Sequence, residues 1–203
     1  DKYQPDLVMA PAVAFLPDIE LVSEAQRRGI KTVGMAMNWD HLNKYYIPVH
    51  TDWLLVQNEP MRREAINWHA YYSEQIVLVG FPQFDMYAYP DKYLVSKEQF
   101  KKDFGLEGVE KIILFISGAA YSLDEPDVIK EISKWVSEGK FGSNTKILVR
   151  PYVVARDIER ERDKYKQLEN DTNIVFNWQK RSDSLESKKN FMSMLAYSDV
   201  IIS

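Results

Sequence analysis

Short runs of apolar residues recur along the whole chain and constrain its fold more than any other sequence feature. The runs are rich in Val and Ile and mostly continuous, which is typical of parallel strands buried on both faces. Eight strands are therefore predicted, at residues 7–10, 32–37, 53–56, 76–79, 112–116, 147–149, 174–176 and 200–202.

Amphipathic segments with helix-start signals separate these runs. Asp18 is the predicted N-cap of the first helix, and Asn58 with Pro60 marks the start of another. Residues 124–139 carry apolar side chains at helical spacing and end on Gly139. Repeated strand–helix–strand order predicts an α/β fold with parallel sheets and helical crossovers.

The alternation breaks once, between Phe81 and Val95, where the sequence is aromatic and contains proline but has no period. We therefore expect two Rossmann-like lobes with a crevice between them: residues 1–82, a linker at 83–95, and residues 96–203. Because the chain opens and stops on apolar runs, we expect an internal part of a longer protein in which both lobes are incomplete.

Composition and charge exclude several classes of function. The 26 basic and 30 acidic residues give a net charge of −4, so nucleic acid is not an expected partner. The chain has no cysteine, and its three histidines show no metal-ligand spacing, so we expect no metal site. No run approaches the ~18 apolar residues of a membrane span. Walker, Gly-x-Ser-x-Gly and Gly-x-Gly-x-x-Gly motifs are also missing.

Ligands of open α/β sheets bind beyond the carboxyl ends of the strands. In the second half of the chain, the small-residue turn 117–120 contains Ser117 and Gly118, whose N–H groups can cradle a phosphate. Arg150 ends the next strand and can clamp a diphosphate, and Trp178 can stack on a nucleobase. The alternatives are a plain turn, a solvated arginine and an indole that covers the sheet.

The first half has its highest density of polar groups after the second strand, at Asn38, Trp39, Asp40 and His41. Asp40 beside His41 predicts a catalytic pair or a contact to sugar hydroxyls. The alternative is a helix N-cap at Asp40 with a packed indole. Three further crevice candidates follow later strands of this lobe: Glu59, Gln83 and Asp85.

Residues 156–166 form a charge-dense stretch with alternating signs. This pattern is typical of a solvated helix face, and no function is predicted for it.

Three segments together resemble a known family. Residues 38–40, residues 52–59 with 63–65, and residues 77–85 are similar to the end of the first lobe in GT-B-fold transferases. The resemblance is greatest to bacterial surface-polysaccharide glycosyltransferases and the related CDP-glycerol glycerophosphotransferases. That family carries a Ser-Trp-Asp-Asn-like segment where this chain has Asn38 to His41, and commonly His-Pro where it has Arg150-Pro151.

The resemblance implies a glycosyltransferase that moves a sugar or related group from a nucleotide-diphosphate donor to a glycan or lipid-linked acceptor. The acceptor would lie on the first lobe and the donor on the second, with no metal and no cofactor besides the nucleotide-sugar substrate. The resemblance also implies a cytoplasmic location, with peripheral contact at the inner face of a membrane left open.

Two other functions fit the same pattern. A non-hydrolysing nucleotide-sugar 2-epimerase is built on the same two lobes, but it needs acidic and histidine residues for which only Asp40 and His41 are candidates. A non-enzymatic two-lobe small-molecule binding protein is the third reading, and it would be expected to carry a secretion signal.

Overall fold

A computed structural model describes residues 3–118, 122–153, 158–179, 182 and 184–203. The chain divides into two compact units, Asp1–Asp85 and Met86–Ser203, and this division falls inside the segment 83–95. Each unit has its own four-stranded parallel sheet, so the predicted α/β class is confirmed. Each of the eight apolar runs forms a strand.

The first unit alternates strands and helices from its start. Its elements are β1 (Leu7–Ala10), α1 (Leu16–Arg27), β2 (Lys31–Met35), α2 (His41–Lys44), β3 (Trp53–Val56), α3 (Glu59–His69) and β4 (Ile76–Leu78), with 3₁₀ turns at Ser73–Gln75 and Pro82–Ala88, the latter extending past Asp85. The strands pair in the order β1-β2-β3-β4.

Helix starts are confirmed at α3 and wrong at α1. The Asn58 side chain accepts the Met61 N–H at 3.0 Å, as an N-cap does. The first helix begins at Leu16 rather than after Asp18. Asp18 lies in its first turn, where a carboxylate is also favourable, and accepts the Ala12 N–H at 2.6 Å.

The sheet of the first unit is covered on one face. Right-handed crossovers between strands that follow one another across a sheet place every helix on the same side. Accordingly, Val22 of α1, Leu42 of α2 and Met61 of α3 share one core with Ala10 and the inward residues of β3.

The opposite face of this sheet is apolar and exposed. Met9 is 51% exposed, Trp53 38% and Val77 45%, and register places all three on this face. The prediction of strands buried on both faces is therefore wrong for the first unit, because its strand order leaves one face without a crossover helix.

The second unit contains the remaining elements. They are α4 (Pro90–Tyr93), α5 (Lys97–Asp103), β5 (Lys111–Ile116), α6 (Glu125–Ser137), β6 (Thr145–Arg150), α7 (Ile158–Tyr165), a 3₁₀ turn (Lys166–Leu168), β7 (Ile174–Phe176), α8 (Leu185–Tyr197) and β8 (Val200–Ile202). The strand order is β7-β6-β5-β8.

Both faces of this second sheet are covered at β5 and β6. Ile113 and Phe115 of β5 pack with α6 and Tyr165 of α7, whereas Ile112 and Leu114 pack with Phe100 of α5 and with α8. The chain runs from β5 to β7 in one direction and then returns to β8 beside β5, so α8 lies on the opposite face. The carboxyl ends of β5 and β8 therefore flank the point where the strand order reverses.

A pair of neighbouring substitutions tests the one-sided cover of the first sheet. Ala10 is fully buried and Met9 is 51% exposed. We expect Ala10→Lys to destabilise the first unit by on the order of several kcal/mol, because a charge would be buried in its core. Met9→Lys, the matched control, is expected to leave the melting temperature nearly unchanged and to reduce binding of an apolar dye. Equal destabilisation by the two variants in thermal melts would contradict this description.

Candidate functional site

The candidate residues of the second unit lie at the carboxyl edge of its sheet. Ser117 and Gly118 follow β5, Arg150 is the last residue of β6, and Trp178 comes two residues after β7. The Ser117 N–H donates to the Arg150 carbonyl at 3.0 Å, which joins the two strand ends. Ala119 and Ala120 of the predicted turn lie outside the described residues.

A carboxylate whose side chain is 12% exposed holds the turn that follows β5. Glu125, in the first turn of α6, accepts the Gly118 N–H through Oε1 and the Ser117 hydroxyl through Oε2, each at 2.6 Å. Lys164 Nζ and the Tyr165 hydroxyl of α7 also donate to Oε2, at 2.6 and 2.7 Å. Four donors from two parts of the chain, the turn after β5 and α7, therefore converge on one carboxylate of α6.

Electrostatics keep this carboxylate ionised. Burial alone would raise the pKa of Glu125, but hydrogen bonds from Lys164, Ser117 and Tyr165 outweigh burial and hold that pKa below its ordinary value. Burial is also the main cause that raises the pKa of Tyr165, so its hydroxyl stays a donor. Position 118 also has little room for a side chain, because a Cβ at Gly118 would lie 2.7 Å from Ser122 Oγ.

Arg150 and Ser117 are neighbours along the edge, but their side chains lie on opposite faces. The Arg150 guanidinium lies 4.2 Å from the ring centre of Phe191, on the α8 side. The Ser117 hydroxyl lies 2.8 Å from the Tyr165 hydroxyl, on the α6–α7 side. The structure therefore brings the two backbones together and separates the two polar groups.

Trp178 belongs to an aromatic stack. Its ring is stacked on Phe176 at 5.2 Å between centroids and meets Tyr165 edge-on at 6.2 Å. The Arg162 guanidinium lies 5.3 Å from the indole centre. The indole is half-buried against the core of the second unit, which is the arrangement expected of a side chain that covers the sheet.

In the first unit, the loop between β2 and α2 is open to solvent. Asn38 is exposed and the Trp39 side chain is 64% exposed, so the alternative of a packed indole is wrong. Asp40 stands at the N-cap position of α2, yet its carboxylate forms no cap bond and pairs instead with Lys44. The hydrogen bond from Lys44 lowers the pKa of Asp40, so this carboxylate is an acceptor and a weak base.

His41 is buried under the same loop. Its ring is 1% exposed and packs against Phe15 and Tyr45 at centroid distances of 5.6 and 5.2 Å. Nδ1 accepts the Met37 N–H at 3.1 Å, and Nε2 has no hydrogen-bond partner among the described residues. His41 therefore supports the loop from inside, whereas Asp40 faces outward.

The other crevice candidates are exposed and not gathered around one point. Glu59 forms a 3.7 Å ion pair with Arg62 in the first turn of α3. Gln83 and Asp85 are exposed on the 3₁₀ turn Pro82–Ala88. Gln57, which precedes Glu59, is buried and donates to the Ala36 carbonyl, so it links the ends of β2 and β3.

Sequence reasoning missed Glu125, Lys164 and Tyr165. Within the described part of the charged stretch 156–166, residues 159, 160, 162 and 163 are exposed, so the predicted solvated face is confirmed there. Tyr165, however, is fully buried, and the Lys164 side chain is only 11% exposed beside Glu125. Residues 156 and 157 lie outside the described residues. One sequence feature could have indicated the cluster: Glu125 begins α6 a few residues after the small-residue turn 117–120.

Two structural features are absent from the described residues. Within those residues, His, Asp and Glu side chains form no group of three or more that could hold a metal ion. No helix in the described ranges is both long enough and apolar enough to span a bilayer.

The structure resembles solved enzymes at the level of the fold. A UDP-GlcNAc 2-epimerase from Neisseria meningitidis, solved with UDP-GlcNAc, matches with a TM-score of 0.58 and 11% identity over 97% of this chain and 53% of its own. The 2-epimerase from Methanocaldococcus jannaschii matches with a TM-score of 0.57 and 13% identity over 96% and 54%. The complex of S. aureus MnaA with UDP matches with a TM-score of 0.61 and 14% identity over 97% and 52%.

At these identities the likeness shows the fold, which is that of Rossmann-like lobes of the GT-B type. The chain spans about half the length of each solved structure it matches. No family model matches the chain, and no curated protein matches it either.

The burial of His41 predicts a pH-dependent stability. Burial lowers the pKa of His41 from its ordinary value of 6.5, an effect that nearby Asp40 opposes. The neutral ring is therefore favoured in the folded state, and stability is lost as the pH falls below 6.5 toward the folded value. We expect a loss of up to about 1.4 kcal/mol per pH unit in that window.

Denaturant unfolding at pH 7.5 and 5.5 measures this effect. His41→Asn keeps an acceptor near the Met37 N–H and is expected to flatten the pH dependence. His50→Asn, at an exposed histidine, is the control and is expected to keep the wild-type dependence. An unchanged slope in His41→Asn would contradict the assignment.

Proposed function

We propose that this chain carries the substrate-binding lobes of a GT-B-fold glycosyltransferase. It would move a sugar or related group from a nucleotide-diphosphate donor to a surface-polysaccharide or other glycan acceptor, without a metal. One observation carries the proposal: the Ser117–Gly118 turn lies at the carboxyl end of β5, beside the reversal of strand order, where doubly wound sheets bind nucleotides.

In this proposal the second unit binds the donor diphosphate. Displacement at the anomeric carbon releases a nucleotide diphosphate, so groups that stabilise negative charge accelerate the reaction. N–H groups at the turn and the start of α6 would serve that purpose, and Arg150 would provide a cation at the adjacent strand end. Trp178 would border the nucleobase with its exposed edge while its ring stays stacked on Phe176.

The first unit would contribute the acceptor side. The exposed Asn38 and Trp39 and the half-buried Asp40 offer an amide, an indole and a carboxylate that suit sugar hydroxyls and sugar faces. Glu59, Gln83 and Asp85 would add acceptor contacts. His41 would act as a positioning residue, because its Nδ1 accepts the Met37 N–H and its ring is buried. The acceptor would be a glycan or a lipid-linked glycan, used in the cytoplasm or at the inner face of a membrane.

A non-hydrolysing nucleotide-sugar 2-epimerase is the second candidate. The solved proteins from Neisseria meningitidis and Methanocaldococcus jannaschii that share the fold are UDP-GlcNAc 2-epimerases, which favours this reading. Epimerisation needs acid and base groups at the sugar. In the described first unit, however, the only histidine proposed for chemistry is buried under its loop.

An assay with and without acceptor separates the two candidates. We expect UDP-GlcNAc or a related nucleotide sugar to release free nucleotide only when a glycan acceptor mixture is present. Chromatography of the nucleotide sugars detects the other outcome. Conversion of UDP-GlcNAc to its 2-epimer without acceptor would overturn transfer and establish epimerisation. Heat-treated protein is the control for spontaneous hydrolysis.

Arg150 gives a direct test of the donor side. Arg150→Ala is expected to weaken UDP binding by about 1.5–3 kcal/mol, the value of a charge-assisted hydrogen bond. Lys146→Ala removes a cation from the same strand near its opposite end and is expected to bind UDP as the wild type does. Calorimetric titration measures both, and equal affinities in the two variants would remove Arg150 from the donor site.

A further inference from the structure

The Glu125 carboxylate accepts hydrogen bonds from a set of donors that would bind a phosphate equally well. The donors are one backbone N–H, two hydroxyls and one ammonium group, contributed by Gly118, Ser117, Tyr165 and Lys164. Backbone N–H groups at a strand-to-helix turn, together with a lysine, are a common arrangement around phosphoryl oxygens. A carboxylate and a phosphate both present anionic oxygen to such donors.

The cluster is largely shielded from solvent. Ser117 is 6% exposed, Tyr165 is fully buried, and the side chains of Lys164 and Glu125 are 11% and 12% exposed. Ser117 and Tyr165 keep their positions through sheet and core packing that does not depend on Glu125. These two hydroxyl donors would therefore remain in place if Glu125 turned away from them.

Glu125 is the residue of this cluster that an incoming anion would replace, because it is the one that carries negative charge. Glu125 neutralises Lys164, so an incoming anion meets no net positive charge while the carboxylate is present. Departure of the carboxylate toward water breaks its ion pair with Lys164 and leaves four donors directed at one point, which is unfavourable unless another anion takes its place.

We propose that Glu125 is an intramolecular stand-in for a phosphate group of the substrate, and that the substrate displaces it on binding. This inference rests on the proposed function for the identity of the substrate as a nucleotide diphosphate. Glu125 then competes with the diphosphate and sets its affinity, whereas Lys164 and Tyr165 become phosphate-binding residues.

Substitution of Glu125 by Gln tests the competition. A neutral amide holds the donors more weakly and removes the ion-pair partner of Lys164, so pyrophosphate and UDP are expected to bind about tenfold more tightly than to the wild type. Asp127→Asn removes a charge from the same helical turn at an exposed position and is the matched control. It is expected to change either affinity less than twofold.

Calorimetric titration with the two probes separates this inference from the proposed function. Unchanged or weaker pyrophosphate binding by Glu125→Gln overturns the inference, while UDP binding by the wild type would still support the function. Tighter pyrophosphate binding by the variant, with UDP never bound better than pyrophosphate, upholds the stand-in role and overturns the nucleotide function.

The wild-type protein supplies a second readout if Glu125→Gln fails to fold. In the ¹⁵N-labelled chain, the Gly118 amide signal is expected to shift on addition of pyrophosphate as its acceptor changes from carboxylate to phosphate. The Gly139 amide, about 20 Å away at the other end of α6, is expected not to move. A static Gly118 signal at saturating pyrophosphate would overturn the inference.

Discussion

Parallel strands joined by right-handed crossovers impose the constraint on which the rest of this structure depends. In the first unit the strands follow one another across the sheet, so the helices share one face and the other face stays apolar and exposed. In the second unit the chain doubles back to β8, so helices lie on both faces and strand order reverses beside β5. The same rule that leaves one sheet half covered thus creates the candidate site on the other.

The site at that reversal is held by charge rather than by glycine-rich sequence. A phosphate-binding turn usually relies on glycines that let the backbone approach the ligand. Here a single close-packed glycine, Gly118, donates to a carboxylate that α6 itself supplies. In the first unit Asp18 holds the Ala12 N–H after β1 in a similar way. In each unit, the helix that follows the first strand therefore supplies an acidic side chain, and this side chain accepts a backbone N–H of the loop between the strand and the helix.

Strand positions were predictable because each of the eight continuous apolar runs forms a strand, even though those of the first unit are buried on one face only. The start of α1 was not predictable, since an acidic residue such as Asp18 is favourable both at the N-cap and in the first turn. The Glu125 cluster was not predictable either, because Lys164 is 39 residues from Glu125 in sequence and meets it only once α7 packs beside α6. For Arg150 and Ser117 the sequence indicates a shared edge but not the face that each side chain takes.

The central claim is that the turn after β5 receives a phosphate of a nucleotide diphosphate. An experimental structure of the chain with UDP tests it most directly, through the distance from the Gly118 nitrogen to the nearest diphosphate oxygen. The account predicts a hydrogen-bond distance of about 3 Å, with the Glu125 carboxylate turned away from Ser117 and Gly118. UDP bound elsewhere, with Glu125 still accepting from the Gly118 N–H, would contradict it.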